Sequence, residues 1–256
     1  MKKLLFWMVL IVGVIAIIGA CSKSDDSSSS DDATASVTSC SDTASGSITG
    51  IDNQSISGTY SLMLQYGPAG GVDNSTGCTS NTTLLSSFSS SMATGAASFN
   101  QLKVVTSSTS FANVYKSYSD TACSSEMASL VIGNTDVTIL DNVTGLTTGD
   151  ASIGTTGTKA TSKQYCMKGK GTTDNGTAWL NTYTSGSGLT YVTGEEKITA
   201  ASGDTYYHLW HSDNTSKSQG GSGYSNFLGN VWRDRVSKSA YATDWTASGA
   251  MDGFQR

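Results

Sequence analysis

The stretch ISGTYSLMLQY, residues 56–66, alternates in steps of two. Ile56, Gly58, Tyr60, Leu62, Leu64 and Tyr66 share one side, and Ser57, Thr59, Ser61 and Gln65 share the other. An extended chain turns successive side chains to opposite faces, so this pattern describes a strand with one face in a core. GPAGGVDNSTG (67–77) ends it as a loop. Similar runs lie at 83–90, 98–106, 111–119, 126–132 and 136–141, with Gly133-Asn134 placed like a hairpin turn between the last two. Others follow at 161–168, 177–184, 189–199, 205–211 and 226–236, where SGSG (185–188) and ASGD (201–204) read as the turns of a three-stranded meander. About eleven short strands at 8–12-residue spacing predict one all-β domain over 49–256, an antiparallel barrel or sandwich. A 3.6-residue period surfaces only around Ala240 to Met251, and no long repeat suggests a propeller or solenoid.

The composition agrees. Charged residues make up 14% of the 256 and there is a single proline, Pro68. Ser, Thr, Asn and Gly must therefore supply the polar surface, as in strands joined by tight turns. The net charge is −5, and loss of residues 1–20 with Lys2 and Lys3 leaves 13 basic against 20 acidic groups, or −7. Without a basic cluster to neutralise phosphates, nucleic acid is excluded as a partner.

The N-terminus gives an address. Met1-Lys2-Lys3 is a positive start, and Leu4 to Ile18 form an apolar core too short for a spanning helix. Ile18-Gly19-Ala20-Cys21 resembles the lipobox of bacterial lipoproteins. The resemblance implies cleavage after residue 20 and acylation of Cys21, whose several acyl chains would anchor the protein stably in a membrane. Residues 22–48, SKSDDSSSSDDATASVTSCSDTASGSI, hold too few apolar groups to offset their ordering entropy. Residues 21–48 are accordingly expected to be a lipidated cysteine and a disordered linker reaching on the order of 25–30 Å. Ser22, where an Asp would resemble an inner-membrane retention signal, points to the outer membrane.

Cys40, Cys78, Cys123 and Cys166 remain beyond the anchor. An even number in an oxidising compartment predicts two disulfides with three possible connectivities. Cys78–Cys123 is favoured, since closing it would stabilise by about 4 kcal/mol on the chain-entropy model, with Cys40–Cys166 as the remainder. No CxxC occurs, so no metal site is expected.

Gly58-Thr59-Tyr60 opens its strand as Gly-x-Trp does in lipocalin-like proteins, and YKSYSDTACSS (115–125) resembles the Tyr-x-Asp-x-x-Cys strand of small secreted bacterial lipocalin-like domains. The resemblance implies a ligand-holding barrel, pairing of that cysteine with Cys78, and an arginine, Arg233 or Arg235, packed over Tyr60.

Candidate chemistry is sparse. His208 and His211 in TYYHLWHSD (205–213) are three apart, which on a strand turns them to opposite faces. Adjacent Glu195 and Glu196 diverge likewise, and nothing in the sequence brings Asp204, Asp213, Asp234 and Asp244 together. There is no Gly-x-Ser-x-Gly, P-loop or dinucleotide fingerprint, and serine is too abundant for a Ser-His-Asp set to be located. No catalytic residue or cofactor is therefore assigned. Aromatic residues are dense in the second half. Trp179, Tyr183, Tyr191, Tyr206, His208, Trp210 and Trp232 are the candidate lining for an apolar small molecule or lipid. The expected protein is a non-enzymatic, lipid-anchored outer-membrane binding module. The alternatives are a surface adhesin or coat protein without a cavity, and a cell-envelope glycan hydrolase.

Overall fold

The computed structural model describes residues 37–63, 78–80, 85–86, 88–147, 155–187, 189–213, 231–243 and 252–255. Cys21, the lipobox-like stretch and most of the expected linker lie outside them.

Eleven strands are present among the described residues: β1 (Ser47–Ile51), β2 (Gln54–Ser57), β3 (Thr59–Met63), β4 (Ser98–Ser107), β5 (Ser110–Tyr118), β6 (Glu126–Val143), β7 (Gly157–Gly171), β8 (Glu196–Ala200), β9 (Thr205–Asp213), β10 (Val231–Ser237) and β11 (Asp252–Gln255). One α-helix, α1 (Asp174–Tyr183), follows β7. All pairings are antiparallel, and they run β3–β4–β5–β6–β7–β9–β10–β11 and back to β3. The ladder thus closes on itself. β8 extends the same edge of β7 that β9 occupies lower down. The expected antiparallel all-β fold is present, and its ladder is that of a barrel.

An eight-stranded barrel has an interior only wide enough for side chains or one small ligand. Here each end is covered. At one end the β1–β2 hairpin turns through Asp52 and Asn53, both at positive φ (49° and 61°), the pairing of a two-residue primed turn. Ile48, Ile51 and Ile56 from this hairpin are buried with Tyr60, Phe111, Trp210 and Trp232. β1 touches β4, β6, β7 and β9, so it lies across the barrel mouth and adds no strand to the wall. At the other end α1 covers the inward residues Ala128, Leu130 and Ile132 of β6 with Trp179 and Leu180.

Several sequence expectations are corrected. The run at 56–66 is interrupted at Gly58, whose φ of +87° turns the plug hairpin into the wall strand β3; positions 64–66 lie outside the described residues. The expected turn at Gly133-Asn134 is absent, and 126–143 is one strand. Glycine is needed there because a Cβ would lie 2.4 Å from the Cys166 sulfur. The expected strand at 177–184 is helix α1, begun by Thr173, whose hydroxyl accepts a hydrogen bond from the Gly176 amide. Its buried residues, Gly176, Thr177, Trp179 and Leu180, follow the helical period, which wins over a weaker alternation. The run at 83–90 contains no strand among its described residues and leads into a 3-10 turn, Ser89–Ser91. Of 189–199, only the end is strand. Strand β11 follows directly after the stretch 240–251 expected to be helical, most of which lies outside the described residues.

Both favoured disulfides are present, Cys40–Cys166 and Cys78–Cys123. The first fastens residues upstream of 49 to the outer wall. Cys40 is buried there with Val104, Ala112, Val114 and Val131, and Asp42 accepts a hydrogen bond from Lys168 at 2.9 Å. β1 itself begins at Ser47.

Candidate functional site

Strand register decides what enters the barrel. On β9, Tyr206, His208 and Trp210 share the inward face; on β10, Trp232 and Asp234 do; on β7, Thr158, Ala160 and Ser162 do. Lys103 of β4 is in phase with inward Phe99 and Val105. Asp234 collects these strands. Its carboxylate accepts a hydrogen bond from the Lys103 ammonium and lies 3.0 Å from Nδ1 of His208. Nε2 of His208 is 2.8 Å from the hydroxyl of Ser162. Lys103, Asp234, His208 and Ser162 thus form one chain of polar contacts inside the barrel, and all are buried.

The electrostatics keep Asp234 ionised. Burial alone would raise the Asp234 carboxyl, but the Lys103 ammonium and His208 outweigh it and hold the group well below the usual carboxylate range. An ionised carboxylate only accepts, so Nδ1 of His208 donates to Asp234, and in a neutral imidazole Nε2 is then the atom that accepts from Ser162.

Aromatic rings surround this chain. His208 lies 4.9 Å from Trp210 and 5.8 Å from Phe111, centroid to centroid, and Trp210 meets Trp232 edge-on at 5.2 Å. The Lys103 ammonium sits 4.6 Å over Trp232, a buried cation–π contact. The indole N–H groups of Trp210 and Trp232 are buried without a hydrogen-bond acceptor among the described residues. Above the cluster the interior is less sealed. Gln101, Asn113, Tyr115, Gln164, Met167 and Tyr206 are in phase with the inward face yet keep partial exposure. Tyr206 donates to Gln164 at 3.1 Å, and burial raises its phenol.

The structure brings His208, Trp210, Trp232 and Tyr206 of the expected lining to one interior. Trp179, Tyr183 and Tyr191 belong to the separate cluster under α1, where Trp179 and Tyr183 stack at 5.5 Å. His211 faces away from His208, as strand spacing requires, and its Nδ1 lies 2.7 Å from Asp52 of the plug hairpin. Trp232, at 5.8 Å, is the ring against Tyr60. Arg233 and Arg235 alternate to the other face of β10, and Lys103 supplies the cation among these rings. Lys103 and Ser162 were missed in the sequence, and Asp234 was noted only as a carboxylate. The available signal was phase: a charge two residues from an aromatic on one strand shares its face.

No protein-family model matches the chain, and no curated protein matches it either.

Proposed function

We propose that the chain is a lipid-anchored outer-membrane protein that holds an apolar small molecule or lipid inside its barrel. The observation that carries this reading is the band of inward residues that stay partly exposed, Gln101, Asn113 and Tyr206, lying between the buried aromatic cluster and the α1 cluster, against which Tyr115 and Met167 pack. Mixed apolar and amide surface of this kind suits a ligand with a long apolar body and one polar end. The two indole donors beneath it suit an oxygen acceptor on that end. Anchoring rests on the lipobox-like sequence ending at Cys21.

The test is native mass spectrometry of the detergent-extracted protein, with displacement of a fluorescent fatty acid as a second readout. A retained lipid-sized adduct supports the reading. A bare mass with no displacement argues for the surface adhesin or coat protein, which the covered barrel ends favour as the second reading. Cys21→Ser tests the anchor and is expected to abolish acyl labelling and release the protein from membranes.

A further inference from the structure

We propose that Ser162, His208 and Asp234 form an acyl-transfer site inside the barrel, with Ser162 as the nucleophile toward a carboxylic ester bearing a long apolar chain. The inference rests on the reading of the interior as a place an apolar molecule enters. It adds chemistry to that reading.

Three adjacent strands supply the three groups. Ser162 of β7 lies diagonal to His208 of β9, whose direct partner is Ala160. Asp234 of β10 lies diagonal to His208 in turn, opposite Trp210. Diagonal neighbours on one face of a sheet are within reach of side chains. The resulting distances are 2.8 Å from Ser162 Oγ to His208 Nε2 and 3.0 Å from His208 Nδ1 to Asp234. A nucleophile, a base within hydrogen-bond reach and a group orienting the base are the general signature of an activated serine. Lys103 keeps the orienting carboxylate ionised, and that carboxylate takes the Nδ1 proton of a neutral imidazole, leaving Nε2 to accept from serine.

In the step, the Ser162 oxygen bonds to the ester carbonyl carbon while its proton passes to His208 Nε2. The carbonyl electron pair moves onto oxygen. That oxyanion collapses, the carbon–alkoxy bond breaks, and the leaving alcohol takes the proton back from Nε2. A water then attacks the acyl-serine by the same route, with its proton going to Nε2 and on to Ser162 as the acid leaves. Phe111, Trp210 and Trp232 give the site an apolar surround, which selects an acyl chain over a sugar. Ser162 is paired with Tyr206 and lies one inward position from Gln164, both partly exposed, so the route in is from the less sealed upper interior.

The experiment uses the full-length protein in detergent and a long-chain alkyl fluorophosphonate, read by intact mass and peptide mapping. One adduct on Ser162 is expected, absent in Ser162→Ala and formed about a hundredfold more slowly in His208→Gln. No adduct on the wild-type protein with both disulfides intact overturns the proposal, as does an adduct that maps to another serine. The wild-type measurement decides the matter even where a variant fails to fold. A retained lipid adduct without labelling overturns only the nucleophile. A bare mass without labelling overturns the interior reading as well.

Discussion

Lys103 and Asp234 are 131 residues apart in the chain and form an ion pair inside the barrel, their side chains only 3% and 4% exposed. The strands that carry them, β4 and β10, are not neighbours; β3 and β11 stand between them in the wall. The pair therefore spans the interior and depends on closure of the ladder.

Removing one partner leaves the other charge buried and uncompensated. Lys103→Met is expected to cost about 3–5 kcal/mol in denaturant unfolding. Lys103→Met combined with Asp234→Asn is expected to cost less than the sum of the single changes, because each already breaks the same pair. Additive costs would mean that the two side chains do not meet.

The Asp234 carboxyl is depressed in the folded protein, so its contribution to stability is present above the ordinary carboxylate pKa of about 3.9 and is lost as pH falls below it. Between about pH 5 and pH 2 the unfolded chain takes up a proton here that the folded one refuses. The melting temperature is expected to fall more steeply over that range in the wild type than in Asp234→Asn. Parallel curves would contradict the assignment.

Helix α1 seats directly on β6. A Cβ added at Gly176 would lie 1.9 Å from the Met127 carbonyl oxygen, an atom that cannot move without the strand. Gly176→Ala is expected to destabilise by about 1–3 kcal/mol and to increase protease cleavage within 174–187. Unchanged stability would mean that the helix does not close this end of the barrel.

The plug at the opposite end is held by Asp52. Its carboxylate is 2.7 Å from His211 Nδ1 and accepts from the Ser212 amide, and its own amide donates to Thr158. Asp52→Ala removes the acceptor and also strains a position at positive φ. Hydrogen exchange at Ile48 and Ile51 is expected to speed up while exchange in β4 and β5 stays slow. Equal acceleration throughout would mean that the hairpin and wall open as one unit.

The wall strands β4, β5, β9 and much of β7 were legible because alternation, turn residues and β-branched content agree there. Strand β6 was cut in two by Gly133, which reads as a turn but serves close packing against Cys166. Helix α1 was read as a strand because Thr177, Trp179, Asn181 and Tyr183 alternate, although Thr173 with Asp174 is a helix start. The aromatic half of the site was legible as composition. Its polar half was not: Lys103, Ser162 and Asp234 come from three distant segments, and only the closed pairing makes them neighbours.

The most direct test is a carbon-13 NMR titration of the Asp234 side-chain carboxyl. A carboxylate sealed in the barrel between Lys103 and His208 will keep its ionised shift through the ordinary range near 3.9 and down to the acid limit of the fold. A midpoint near 3.9 would place Asp234 in solvent, and the closed barrel with its buried relay would be wrong.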